Sequence, residues 1–326
     1  MKREDLTAQD KDRLRQQIKL YKTYLSQYKF NDLVVEATGT NRMFDTLRIK
    51  AKSIKENLRL QSAIKDINAS LKTQIRVSRN TIEHLYIEVH KFERTDNITY
   101  DSLDCSEINA NIIDIPIGIK ENNATVKIPL ALERNILICS GARMGKTTLL
   151  RTILKGIVSL HSEIEVSLFT RKKEEYTDIT DNIEYCDHRH SLSVLESLAR
   201  RVDSSRLDGL SQEARKKVII IDELYDFYPL QSQPKWNRTY SFLTKCMAHG
   251  AMAGIYFIIS TSVFQSEMLT ERFLRQAATR IFLRMPFVDE ARDLNCPDAV
   301  NLSSSSGDAL LVTTGNSACR LQIPII

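Results

Sequence analysis

The sequence predicts an α/β fold: a central parallel sheet covered by helices on both faces, preceded by a small β region and an N-terminal helical hairpin. Three observations predict it. Beyond residue 135, short apolar runs ("ILICS", "IEVSLF", "VIIID", "GIYFIIST", "TRIFLRM") alternate with stretches at helical spacing, and strand–helix repetition of this kind builds a parallel sheet. Between residues 81 and 130 the texture is β-branched runs broken by polar turns. From residue 5 to residue 80 there is no proline and a single glycine, Gly39.

Taken in order, Leu14, Ile18, Tyr21, Leu25 and Tyr28 follow a 4-3-4-3 spacing, and Phe44, Leu47, Ala51, Ile54 and Leu58 follow 3-4-3-4. These are heptad stripes, with "ATGTN" (37–41) as the turn between two helices. The second stripe then shifts register to Leu60, Ile64, Ile67, Leu71 and Ile75. Residues 1–80 therefore read as a basic helical hairpin or short coiled coil that packs on itself, on another copy or on a protein partner. Residues 81–130, with "LYIEVHKF", "IIDIPIGI" and "ATVKIPL", read as a β-rich connecting region. Residues 131–326 hold the alternating pattern, with helices expected at 146–160, 191–202, 238–249 and 270–278.

At 42% hydrophobic and 27% charged, the 326 residues can bury a core. Six cysteines stand scattered with no C-x-x-C pair, which argues against a zinc ribbon or disulfide framework and fits a reducing cytoplasm. The start, "MKREDLTAQD", has no apolar core of a signal peptide. Residues 246–266 lack Asp, Glu, Lys and Arg, but only the middle is strongly apolar, so a buried strand is expected there and no membrane span, which takes about 20 apolar residues. The net charge of +5 is uneven: residues 1–80 carry 18 Lys and Arg against 9 Asp and Glu, which leaves the rest acidic by 4. Such asymmetry suits nucleic acid or another acidic surface, or a solvated helical face.

The chemistry begins at "ILICSGARMGKTTLL" (136–150). Gly-Lys-Thr follows an apolar strand and opens a helix, the arrangement that aims backbone N–H groups and a helix N-terminus at a phosphate. Ser140 stands where G-x-x-x-x-G-K-[ST] wants its first glycine, and Gly141, one residue later, is expected to supply the missing backbone freedom. Gly141, Ala142, Arg143, Met144, Gly145, Lys146, Thr147 and Thr148 would cradle ATP, Lys146 reaching the β- and γ-phosphates and the Thr147 hydroxyl completing the coordination of Mg2+. Downstream, "KKVIIIDELYDF" places Asp222 and Glu223 after four consecutive apolar residues, a strand buried on both faces whose C-terminal end lies at the crevice where ligands bind. Asp222 would hold Mg2+ through water and Glu223 would orient and deprotonate the attacking water; the alternative for such a pair is a helix N-cap. Thr261 and Ser262 end another apolar strand, where a hydroxyl either reports on the γ-phosphate or merely closes the strand.

Several ordered motifs carry a family resemblance: "DIPIGIKENNATVKIPLALERNILICSGARMGKTT", "FTRKKEEY", "VIIIDELYDF", "MAHGAMAGIYFIISTS", "AATRIFLRMPFVDEAR" and "SSGDALLV". From Ile113 onward the chain resembles the motor domain of the FtsK/SpoIIIE DNA translocases, within the HerA–FtsK group of P-loop ATPases. The resemblance implies a RecA-like P-loop NTPase core in a ring, a hexamer, that threads double-stranded DNA and hydrolyses ATP at subunit interfaces. Such hydrolysis needs a cation supplied in trans: Arg280 is the first candidate, then Arg275 and Arg284, a surface ion pair being the alternative for each. Arg171, Lys172 and Lys173 would touch DNA phosphates or stand solvated. The chain departs from the family pattern in lacking a membrane-spanning N-terminus and a C-terminal winged helix, and in having Ser262 where a glutamine often follows the strand-ending threonine. The implied function is a cytoplasmic, ATP-dependent DNA translocase serving a plasmid, mobile element or virus. The alternatives are a conjugation or protein-secretion ATPase of the same group, or a non-hydrolysing nucleotide-dependent scaffold.

Overall fold

The computed structural model describes residues 8–40, 44–71, 75–81, 83–90, 98–120, 122–179, 183–207, 215–228, 232–302, 307–313 and 318–326. Asn41, the last two residues of "LYIEVHKF" and the serines opening "SSGDALLV" lie outside them. The chain forms two compact units that divide at residues 96 and 97.

The first unit runs α1 (Ala8–Gln27), β1 (Val34–Thr40), β2 (Phe44–Lys50), α2 (Ile54–Leu71), β3 (Ile75–Asn80) and β4 (His84–His90). Its sheet has the order β1-β2-β4-β3, antiparallel throughout. The helical hairpin expected over residues 1–80 is thus corrected to an α+β unit. The expected turn falls inside β1, where the register shifts between Ala37 and Gly39, and Phe44 and Leu47 are strand residues. The physical reason is that a 3-4 spacing over so few residues does not exclude alternation: Asp45, Leu47 and Ile49 point inward together, and the β-branched "VVEATGT" supplies a pairing partner. The heptad stripes of α1 and α2 are real but cover the sheet. Tyr21, Leu25, Leu60, Ile64 and Ile67 share one core with Leu47, Ile49, Leu85 and Ile87. Ile54 and Leu58, 60% and 61% exposed, lie off it. Asp45 is fully buried and ties α1 to β2 by accepting from Arg13 Nε at 2.8 Å and Thr40 Oγ1 at 2.6 Å.

The second unit contains β5 (Asp114–Ile119), β6 (Thr125–Pro129), α3 (Leu130–Glu133), β7 (Asn135–Cys139), α4 (Lys146–Leu160), β8 (Glu165–Phe169), β9 (Glu184–Cys186), α5 (Ser191–Leu207) and β10 (Lys217–Ile221). It continues with α6 (Gln233–His249), β11 (Ile255–Thr261), α7 (Glu271–Gln276), β12 (Thr279–Phe282), α8 (Val288–Asp293), β13 (Asp308–Val312) and β14 (Cys319–Gln322). Its sheet has the order β6-β5-β14-β13-β12-β7-β11-β10-β8-β9. From β12 to β9 the strands are parallel; β13, β14, β5 and β6 extend the sheet antiparallel. The region read as a connector, 81–130, therefore divides: β4 completes the first sheet, and β5 and β6 form an edge of the second.

Alternation along the central strands explains why helices cover both faces. Leu137, Ile219, Ile221, Phe257 and Ile259 enter one core with Leu195, Leu198 and Val202 of α5 and Leu243 of α6. Ile136, Ile138, Val218, Ile220 and Ile258 enter the other with Leu149, Leu150, Ile153 and Ile157 of α4. Each fully buried aliphatic side chain contributes about 1.5–3 kcal/mol. The uncharged run at 246–266 resolves into the end of α6, a short turn and β11, whose residues are all buried. Among the described residues no helix is long and apolar enough to cross a membrane. Because β7, β11, β10 and β8 are parallel neighbours in register, Cys139, Thr261, Ile221 and Phe169 end at one edge of the sheet, and the segments that follow them meet there.

Candidate nucleotide site

The loop from β7 to α4 is held from inside. Ser140 is fully buried; its Oγ donates to the Gly141 carbonyl at 2.8 Å and accepts from Lys146 Nζ at 3.3 Å. The serine that breaks the glycine pattern thus contributes a hydroxyl that closes the turn. Gly141 donates its N–H to the Arg284 carbonyl at 2.9 Å, and a Cβ there would stand 3.2 Å from Pro286 Cδ. Its φ is not left-handed, so what Gly141 provides is close packing. The backbone freedom expected of it falls instead to Gly145, at φ +95°, and Arg143, at φ +60°. Gly145 caps α4 with no side-chain bond of its own, Ala142 and Arg143 are exposed, Met144 packs against the α4-side core, and the Thr148 carbonyl accepts from Thr152 in the first turns of the helix.

Asp222 and Glu223 leave β10 in different environments. Asp222 is 8% exposed and its Oδ2 accepts from Tyr176 Oη at 2.9 Å and Thr170 Oγ1 at 3.1 Å. Burial raises its pKa against the opposing pull of those hydroxyls. The Thr147 side chain also reaches the Tyr176 hydroxyl, which burial keeps protonated. Glu223 sits at φ +73°, a left-handed conformation that costs a non-glycine residue about 1–3 kcal/mol. Its carboxylate accepts from the Ser262 N–H at 3.0 Å, Ser262 Oγ at 2.6 Å and Thr261 Oγ1 at 3.2 Å. Lys146 Nζ lies 3.9 Å from Glu223 Oε2; burial lowers the lysine pKa, while Glu223 and Asp222 act to raise it.

Gly145, Lys146, Thr147, Asp222, Glu223 and Ser262 line one cleft of about 560 Å3. The donor set fits an anion and a hard divalent cation. The N-terminus of α4 and Lys146 suit phosphate, and the Thr147 hydroxyl beside the Asp222 carboxylate suits Mg2+, which prefers oxygen.

Thr170 and Tyr176 are the residues that the sequence did not single out as part of this site. A signal existed for the first: β8 pairs with β10 so that Phe169 lies opposite Ile221, and the residues that follow the two strands must approach each other. Arg171 and Lys172, expected on DNA, lie on the wall of the cleft, Arg171 3.3 Å from Asp226 and Lys172 3.2 Å from Glu175. Lys173 stands 4.5 Å over the Tyr185 ring.

Arg280 is not brought to the cleft. Its guanidinium donates to the carbonyls of Ala277 at 3.1 Å, Leu294 at 2.9 Å and Leu274 at 2.9 Å, and burial lowers its pKa. β12 lies inside the sheet between β7 and β13, where the half-buried cation is satisfied by its own chain; a cation supplied in trans would serve another subunit's cleft. Arg275 pairs with Glu271 at 3.1 Å and stays 71% exposed. Arg284 follows β12, its carbonyl on Gly141.

Neither a protein-family model nor a curated protein matches the sequence. Solved structures do. The pCW3 conjugation coupling protein TcpA, in its monomer form with ATPγS, is 14% identical with a TM-score of 0.64, the match covering 95% of each chain. The cytoplasmic domain of the Thermomonospora curvata type VII secretion ATPase EccC is 15% identical with a TM-score of 0.58, over 71% of this chain and 32% of that one. EssC (ATPases 2 and 3) from Geobacillus thermodenitrificans is 13% identical with a TM-score of 0.51, over 76% of this chain and 55% of that one. The chain thus spans nearly all of the first neighbour and only about a third to a half of the other two. At these identities the likeness is one of fold alone, a mostly parallel sheet covered by helices that this chain shares with those structures.

Proposed function

We propose that this protein is a cytoplasmic, ATP-dependent double-stranded DNA translocase that hydrolyses ATP at the subunit interfaces of a hexameric ring. The observation that carries the reading is the meeting of Lys146, Asp222 and Glu223, from separate elements, in one cleft, with Lys146 Nζ 3.9 Å from Glu223 Oε2. Lys146 and the backbone N–H groups of residues 142–148 bind the phosphates. Thr147 and, through water, Asp222 would hold Mg2+, which when bound would neutralise charge on the transferring phosphoryl group. Glu223 orients the attacking water and takes its proton, and Thr261 and Ser262 hold that carboxylate at the end of β11. Arg280, Arg275 and Arg284 are the candidates for the cation supplied in trans.

A second reading, an ATPase that moves polypeptide, is favoured by one observation: an EccC chain with this fold, at a TM-score of 0.53, was solved in complex with a signal sequence peptide. Steady-state ATP hydrolysis with and without long duplex DNA, together with a mass measurement in ATP, separates the two. The DNA reading expects a severalfold rise in rate and a mass of six protomers of 37.4 kDa. A rate indifferent to duplex removes it in favour of polypeptide transport.

A further inference from the structure

On helices of the second unit Arg275 pairs with Glu271 and Arg292 with Asp289, while Arg200, Arg206, Arg238 and Arg272 stand exposed without an ion pair among the described residues, scattered over three helices. α1 instead gathers four such cations on one face. Lys11, Arg15, Lys19 and Lys22 are all exposed, and among the described residues none of them has an ion pair. At 3.6 residues per turn they fall within an arc of about 80° and form a row about 16 Å long. Like charges at i and i+4 cost a helix about 0.2–0.5 kcal/mol per pair, so α1 carries this row at the expense of its own stability. The opposite side of the helix is fixed by the buried Leu14, Tyr21 and Leu25, and by the grip of Arg13 on Asp45, so the row faces solvent in a set orientation.

We propose that this face of α1 docks on the phosphate backbone of duplex DNA; the inference rests on the DNA reading above and names a surface for it. Phosphate contact asks for a linear series of cations and nothing else, whereas a protein partner asks for apolar or aromatic anchors at the centre of the patch. The row offers the former, and its arc contains no aromatic and no acid. Its length matches about five base pairs at 3.4 Å each.

The test is binding of the full chain to a 20-base-pair duplex across a salt series, followed by fluorescence anisotropy. A variant carrying Lys11→Gln, Arg15→Gln, Lys19→Gln and Lys22→Gln should lower the slope of log K against log salt by about 3 to 4, at about 0.9 per phosphate, and weaken binding more than tenfold at 0.1 M salt. DNA-independent ATP hydrolysis should stay unchanged, and a charge-retaining variant, Lys11→Arg with Lys19→Arg and Lys22→Arg, should keep the parent slope. A slope shift below one unit with DNA binding intact overturns this surface and leaves the translocase reading standing. Parent binding to polyglutamate as tight as to duplex overturns it in favour of an acidic protein. No duplex binding by the parent protein at all overturns both readings.

Discussion

The hydroxyl of Tyr176 is placed where the two residues assigned to Mg2+ come together, donating to Asp222 Oδ2 at 2.9 Å with the Thr147 side chain beside it. Tyr176 itself is fully buried, so its geometry is fixed by packing and it orients both cation-binding groups. Tyr176→Phe keeps the ring and removes the bond. Groups that orient metal ligands are worth roughly 10–100-fold in metal affinity. Titration of Mg2+ in the presence of a fluorescent ATP analogue should therefore show affinity for the cation falling by about tenfold, with cation-free nucleotide binding unchanged. Equal Mg2+ affinity in the variant would make Tyr176 a packing residue only. The contrast with Lys146, Thr147, Asp222 and Glu223 shows what a sequence can reveal at this scale. Those four lie in contiguous motifs whose local strand-to-helix or strand-end geometry is written next to them. Tyr176 and Thr170 reach Asp222 across 46 and 52 residues, and a tyrosine ending a charged loop carries no local mark of that contact. Ser262 was legible beside Thr261 as a strand-ending hydroxyl, and its N–H and Oγ both donate to the Glu223 carboxylate.

Among elements, those whose register is enforced by burial on one long face were the legible ones. α4 begins and ends at 146 and 160, as its spacing predicts, because its apolar stripe must meet the sheet, with Gly145 setting its start and His161 capping its end. β10 and β11 were legible as unbroken apolar runs, since both faces are covered. Over residues 34–58, short amphipathic strands imitated heptads, and the choice was made by pairing partners distant in sequence. The turn before α5 was not legible at all, and it carries a pH response. His188 is 2% exposed, edge-on to Phe169 and Phe227 at 6.3 and 4.9 Å, and burial, aided by the charge of Arg171, lowers its pKa from 6.5 to about 4. The folded state therefore holds it neutral while the unfolded chain protonates near 6.5. Its contribution to stability is present above that value and is lost as pH falls towards about 4, amounting to about 2 kcal/mol by pH 5. Urea unfolding at pH 7.5 and pH 5 should show that loss, and His188→Phe, which preserves the aromatic contacts, should remove about 2 kcal/mol of the difference between the two pH values. An identical pH dependence in the variant would exclude His188 as its source.

At the scale of the whole molecule, each unit closes its own core: residues 18–89 supply every member of the first, and the two cores that sandwich the large sheet draw only on residues from 113 onward. Nucleotide-binding geometry depends on strand ends of the large sheet alone, so stability of the first unit and ATP affinity should be separable. Leu47 is fully buried at the centre of the smaller core, and Leu47→Ala should cost the first unit about 2–5 kcal/mol through lost transfer energy and the cavity left behind. Hydrogen exchange should then show faster opening of amides in β2 and β4 while those of β7, β10 and β11 stay as slow as before, and the dissociation constant for an ATP analogue should be unchanged. By contrast, duplex binding should weaken, because the basic row on α1 keeps its orientation only while Tyr21 and Leu25 remain seated on that core. Loss of ATP affinity alongside the first unit would mean that the cleft takes part of its stability from residues 8–90, and the two units could no longer be treated as separate folding bodies.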